Sequence, residues 1–186
     1  MSITPSPSGG RLTSVFAVLI TGPPGSGKTV TLTALHDALA EDGIAHAGVD
    51  VDEVAWAYPF PDLGQRCAHL RAWRESHARA GASLLIASEV IESGAHLSDV
   101  LSALAAEDHL LVRLRADPAT LRARIVAREP DGWFGLGRLL DETERLQASL
   151  PSLEGVHAVF DSEQLTVPEI VAAIRAGRAD VLGKGS

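Results

Sequence analysis

Val15-Phe-Ala-Val-Leu-Ile-Thr21 runs directly into Gly22-Pro-Pro-Gly-Ser-Gly-Lys28-Thr29. An apolar run of this length, cut off by glycines and prolines, reads as a strand buried on both faces. The glycine-rich stretch fits G-x-x-x-x-G-K-[ST] and opens a helical pattern over Gly27–Glu41, the strand-to-helix setting that this motif requires. Gly22, Pro23, Pro24, Gly25, Ser26 and Gly27 would turn backbone N–H groups toward phosphate oxygens. Lys28 would reach the β- and γ-phosphates, and the Thr29 hydroxyl would ligate Mg²⁺. Lys28 is one of only two lysines in the chain, the other being Lys184.

Moving outward, further short apolar runs at Ala45–Asp50, Ser83–Ala87, His109–Arg115 and Val156–Phe160 read as strands, also buried on both faces. Helical patterns separate them at Leu63–Ala80, His96–Ala106, Pro118–Arg128 and Leu139–Leu150, with a last one at Val167–Arg178. Strict alternation of strand and helix predicts an α/β fold: a five-stranded, mainly parallel sheet with helices on both faces and right-handed crossovers. Ligands then bind at the carboxyl ends of the strands. Residues 1–11, rich in Ser, Pro and Gly, read as a flexible tail ahead of a single domain over 12–182.

The chain has 186 residues, which fits one domain with one core, and 46% hydrophobic residues exclude wholesale disorder. Its net charge of −8 disfavours nucleic acid and anionic membranes as partners. Cys67 is the only cysteine, which excludes an intrachain disulfide or a zinc ribbon and fits a reducing cytoplasm. No apolar run is long enough to span a bilayer. The seven histidines show no metal-binding spacing.

Asp50 and Asp52 close the second strand, where residues separated by one point to the same side, so both carboxylates would face the cleft. Phosphoryl transfer to a hydroxyl needs a proton acceptor, and Mg²⁺ needs oxygen ligands; the pair meets both needs without revealing which does which. The competing reading has Asp52 capping a short helix at Glu53–Ala57. Trp56, Tyr58 and Phe60 follow at once and would wall an acceptor pocket or plug a loop. After the third strand stand Glu89 and Glu92, which would pair with an ammonium or with sugar hydroxyls, or else form a solvated helix entry capped by Ser88 or Ser93. The arginines of the Leu63–Ala80 helix would mostly face solvent, with Leu63, Cys67, Leu70 and Trp73 as its core stripe, although Arg66 or Arg74 would be able to reach an anionic acceptor. Arg124 and Arg128, four apart on the Pro118–Arg128 helix, share a face suited to a transferring phosphoryl group. Gly132-Trp-Phe-Gly-Leu-Gly-Arg138 would make a mobile cover over about 129–138, with Arg138 as a third arginine.

The phosphate loop and these companions resemble the small P-loop kinases of the shikimate kinase, gluconate kinase and chloramphenicol phosphotransferase type, over Val15 to about Arg178. The resemblance implies a P-loop NTPase fold, ATP and Mg²⁺ as cosubstrates, and phosphoryl transfer to a hydroxyl of a small molecule, a metabolite or an antibiotic. Gly48-Val49-Asp50 is similar to the Gly-Val-Asp that carries the base in chloramphenicol phosphotransferase, which makes Asp50 the base and leaves Asp52 to substrate or metal. Leu121-x-x-Arg124-Ile125-x-x-Arg128 resembles the stretch leading into the lid of gluconate-type kinases. Phe160-Asp161-Ser162 is similar to the family's adenine-side loop, implying a nucleotide contact at Asp161. The chain departs from the pattern at Ser88-Glu89, where many P-loop enzymes carry an Asp, so metal holding passes to Asp50 or Asp52 with Thr29, or to Glu89. No arginine stands there to take an acceptor's phosphate. A nucleotide-binding switch without a small acceptor and a nucleoside or nucleotide kinase are the competing expectations, and the oligomeric state is not legible.

Overall fold

In the computed structural model, residues 14–54 and 57–183 are described; the expected N-terminal tail and Trp56 lie outside them. Five strands follow from the five apolar runs: β1 (Phe16–Thr21), β2 (Ala47–Asp50), β3 (Leu84–Ser88), β4 (Asp108–Arg115) and β5 (Ala158–Asp161). Every pairing among them is parallel, in the order β2-β3-β1-β4-β5, so β1 lies at the centre with β3 and β4 as neighbours. The expectation of strands buried on both faces holds for β1 and β3, whose residues are all buried. It fails at the edges: β2 exposes Gly48, and Val159 of β5 is 45% exposed, because an edge strand is covered less completely than a central one.

Helices cover both faces: α1 (Lys28–Glu41), α2 (Val51–Val54), α3 (Leu63–Arg79), α4 (Gly94–Leu104), α5 (Pro118–Arg128), α6 (Leu136–Ser149), α7 (Val167–Gly177) and α8 (Ala179–Leu182). Alternation along β1 divides the core. Ala17 and Leu19 pack with Cys67 and Leu70 of α3 and Val100 and Leu104 of α4. Phe16, Val18 and Ile20 pack on the other side with Leu35 and Leu39 of α1 and Ile170 and Ile174 of α7.

The helix starts follow their capping chemistry. Asp62 and Gln65 form a reciprocal capping box at α3, Ser93 accepts from the His96 N–H at α4, Asp117 accepts from Ala119 beside Pro118 at α5, and Thr166 pairs with Glu169 at α7. α1 is different: Gly27 offers no side chain to cap it. Its first N–H groups are left for another acceptor.

Three boundaries depart from the sequence expectation. The short helix expected at Glu53–Ala57 is α2 at Val51–Val54, starting immediately after β2. α4 begins at Gly94 because Ser93, not Ser88, is its cap; Ser88 is buried at the end of β3. α6 begins at Leu136, so Arg138 is helical and only residues 129–135 connect α5 to α6.

Ala105 closes α4 in the left-handed region, at φ 48° and ψ 41°. A Cβ is strained there, whereas glycine is not. Ala105→Gly is therefore expected to raise stability by about 0.5–1 kcal/mol, read as a higher urea midpoint at unchanged slope.

Candidate active site

The carboxyl ends of β1 and β2 open on a cleft of about 690 Å³. Its floor is the predicted phosphate loop. Gly22 has φ 151°, and a Cβ there would stand 2.6 Å from the Leu114 carbonyl oxygen and 2.7 Å from Ser26 Oγ, so only glycine fits where β1 turns into the loop. Lys28 Nζ folds back to donate to the carbonyls of Gly22 at 3.0 Å and Pro23 at 3.4 Å. Burial pushes the Lys28 ammonium below its ordinary value, opposed by the charges of Asp52, Asp50 and Glu89. Ser26 Oγ and Thr31 Oγ1 are buried without a hydrogen-bond partner among the described residues. Pro24, Gly25, Ser26, Gly27, Lys28 and Thr29 all line the cleft.

Asp50 and Asp52 line it too, though not in the way strand alternation suggested. β2 ends at Asp50 and α2 begins at Val51, so Asp52 is carried round on the first turn of a helix. The two carboxylates consequently differ. Asp50 Oδ2 accepts the Thr29 hydroxyl at 2.7 Å, and its Oδ1 accepts the Asp52 N–H at 3.2 Å. Asp52 is 62% exposed, and its nearest cationic side chain is Arg66, at 4.0 Å.

Glu89 corrects the expectation of a solvated helix entry. It is 2% exposed, its N–H donates to the Ile20 carbonyl, and Oε1 accepts from Arg66 Nη1 at 2.5 Å. His96 Nε2 lies 3.8 Å from the same oxygen. Burial raises the Glu89 carboxyl to about 7, with Arg66 opposing the shift. Glu92 is engaged elsewhere, with Arg145 at 2.6 Å. Arg66, expected among mostly solvent-facing arginines, is thus the residue the sequence undervalued. Its position one helical step before the buried Cys67 is the only local hint.

Across the cleft, Arg124 donates to Ser162 Oγ at 2.8 Å, to the Ser162 carbonyl at 3.0 Å and to the Gly25 carbonyl at 3.3 Å, tying α5 to the phosphate loop and to the turn after β5. Arg128 also lines the cleft, its guanidinium held by Glu129 at 2.6 Å. Ser162, Leu165, Val167 and Ile170 line the cleft on the same side, and Glu53, Val90 and Leu139 also contribute to the lining. Asp161 does not join them: its carboxylate accepts the Glu163 N–H and pairs with Arg115 at 3.1 Å. Arg138 is exposed on α6, apart from the cleft lining. Tyr58 and Phe60 are 92% and 67% exposed and do not wall it either.

A scan against protein-family models finds no match, and neither does a search of the curated proteins. Solved structures do resemble this chain. A sugar kinase from Janibacter sp. superposes with TM-score 0.60 at 18% identity, over 91% of this chain and 96% of that one. A gluconokinase from Sinorhizobium meliloti 1021 gives 0.58 at 20% identity, over 92% and 95%. The Mycobacterium tuberculosis APS kinase in complex with AMPPNP and APS gives 0.58 at 15%, over 89% and 98%. The chain has the P-loop NTPase fold. Among the described residues no helix is long and apolar enough to cross a membrane.

Glu89 gives this P-loop site a signature in solution. A carboxyl raised from 4.5 unfolded to about 7 folded holds more protons in the folded state between those values. Its contribution to stability therefore falls as pH rises through that window and stays low above it. Glu89→Gln removes the titration, so the melting temperature of the variant relative to wild type is expected to move in the variant's favour from about pH 5 to about pH 8. Thermal unfolding followed by circular dichroism at both values checks this; a pH-independent difference would contradict it.

Proposed function

We propose that this protein is an ATP-dependent phosphotransferase that moves the γ-phosphoryl group to a hydroxyl of a small molecule. The observation that carries the reading is the Thr29–Asp50 hydrogen bond at the mouth of a loop holding Lys28, with the second carboxylate, Asp52, exposed over the same cleft. The solved kinases of the same fold support it, one of them in complex with a nucleotide analogue and APS.

The unpaired N–H groups at the start of α1 and Lys28 would bind the phosphates. Thr29 and Asp50 set a hydroxyl and a carboxylate oxygen side by side, the hard oxygen donors that Mg²⁺ takes. Among the described residues no group of three or more His, Cys, Asp and Glu side chains is placed to hold a metal, so the ion would complete its shell from the nucleotide and water. When bound it neutralises charge on the β- and γ-phosphates. In this proposal Asp50 joins Thr29 on the metal side and Asp52 faces the acceptor, one of the alternatives the sequence left open and not the one favoured by the resemblance to chloramphenicol phosphotransferase.

Asp52 takes the proton of the acceptor hydroxyl as its oxygen bonds to the γ-phosphorus, and the bond to the ADP oxygen breaks with its electron pair leaving on ADP. Arg124 and Arg128 oppose the negative charge that spreads over the phosphoryl oxygens. Leu165, Val167 and Ile170 offer an apolar surface to the base.

The test couples ADP release to a panel of hydroxyl compounds, with nucleotide binding measured separately by calorimetry. Wild type is expected to release ADP in an acceptor-dependent manner. Lys28→Ala should lose binding and turnover together. Asp52→Asn should keep nucleotide binding while kcat falls by about 10²–10⁴. A protein that binds MgATP but responds to no acceptor, and whose Asp52→Asn form behaves as wild type, is a nucleotide switch instead.

A further inference from the structure

We propose that the acceptor side of the cleft selects a neutral or ammonium-bearing hydroxyl compound and turns away carboxylates, sulfates and phosphates, because Arg66, the guanidinium beside Asp52, is already neutralised from within by Glu89. This rests on the phosphotransferase reading and names its substrate class.

Arg66 stands on the first turn of α3, its side chain 25% exposed, with Nη1 between Asp52 at 4.0 Å and Glu89 at 2.5 Å. By position alone it would serve as the docking group for an anionic acceptor, since a guanidinium bonds two oxygens of a carboxylate or sulfate at once. Glu89 forestalls that once it is ionised, above about pH 7, and the assays below are run at about pH 8 for that reason. Its side chain is 1% exposed and lies beneath the cleft, so water screens the pair poorly and the short bond keeps the guanidinium turned inward. A second anion at Arg66 would meet the buried Glu89 charge with little solvent between them, and the more exposed Asp52 charge beside it.

The other cations of the cleft are committed to its nucleotide side. Lys28 donates to the Gly22 and Pro23 carbonyls, Arg124 is bonded to Ser162, and Arg128 is held by Glu129. On the acceptor side Asp52 and Glu53 line the opening, and two carboxylates, Asp52 and Glu89, flank the charge of Arg66. The local field is negative. An ammonium group gains there and a carboxylate loses.

The experiment uses the full chain with matched triplets of one scaffold: glucose, glucosamine and glucuronate, and benzyl alcohol with its 4-aminomethyl and 4-carboxy derivatives. For whichever scaffold is phosphorylated, kcat/KM of the neutral or ammonium member is expected to exceed that of the carboxylate by about tenfold or more. In Glu89→Gln the carboxylate member gains and the preference shrinks by at least about tenfold. A wild type that prefers the carboxylate, or a preference unmoved in the variant, overturns the proposal. If no triplet turns over, the phosphotransferase reading fails for these scaffolds, while the charge argument is read independently. The MgADP-loaded protein is titrated with malonate and followed by thermal shift at constant ionic strength. Glu89→Gln should gain a malonate-dependent rise that Arg66→Met/Glu89→Gln lacks. A rise already present in wild type and abolished by Arg66→Met, or no rise in Glu89→Gln, overturns it. Glu89→Met, of similar volume and also uncharged, replaces Glu89→Gln if that variant does not fold, with retained ADP binding as the control.

Discussion

A half-buried ammonium group at the start of a helix is the constraint around which the cleft is arranged. Lys28 sits where α1 begins, against a helix terminus that already carries partial positive charge. Burial works against its ionised form, and only the Gly22 and Pro23 carbonyls and the nearby acids counter that. The arrangement holds because β1 is buried along its whole length and delivers the loop from the middle of the sheet, with β3 on one side and β4 on the other. A less rigid strand would let the chain turn the charge out to water.

From that point the charges sort themselves across the cleft. Asp50 meets Thr29 beside the loop, Asp52 stands exposed near Arg66, and Glu89 is buried against the same arginine, each close enough to favour the charged form of Lys28. Arg124 and Arg128 come from α5 on the far wall, whose helix is fixed at its start by Asp117 and Pro118. Positive groups thus gather where phosphates would lie and carboxylates gather where a hydroxyl would enter. This separation follows from topology: β4–α5 and β2–α2 leave the sheet on opposite sides of β1.

Some of this was legible in the chain and some could not be. The phosphate loop is local, since its eight residues and flanking periodicities suffice, and so are the boundaries of α5, written in Asp117-Pro118 and Glu129-Pro130. Asp50 and Asp52 both reach the cleft as expected, but by a different route, because period-two alternation stops at Asp50 and Asp52 lies two residues past the end of β2, on a helix. Glu89, by contrast, was misread. Its burial depends on Arg66, twenty-three residues earlier, and no pattern along the chain announces a long-range ion pair. The histidines illustrate the same limit: no spacing connects His36 with His46 or His109 with His157, yet the first pair is hydrogen bonded at 2.7 Å and the second has ring centroids 5.1 Å apart.

The two ends of the sheet treat their polar groups differently, and this locates function more firmly than any single residue. At the amino end, Arg178 pairs with Asp108 at 2.8 Å and with Asp180 at 3.0 Å and lies over the Phe16 ring at 4.2 Å, while Arg175 pairs with Asp42, fastening α7 to α1. These groups satisfy one another. Among the described residues, Ser26 Oγ and Thr31 Oγ1 are buried in the cleft lining with no hydrogen-bond partner, and Ser88 Oγ is likewise orphaned at the carboxyl end of β3. A buried polar atom left unpaired costs stability. A fold selected for stability alone would have paired these groups or replaced them, as the opposite end has done. Ser26 and Thr31 flank Lys28, where the phosphates of a bound nucleotide would supply the missing partners.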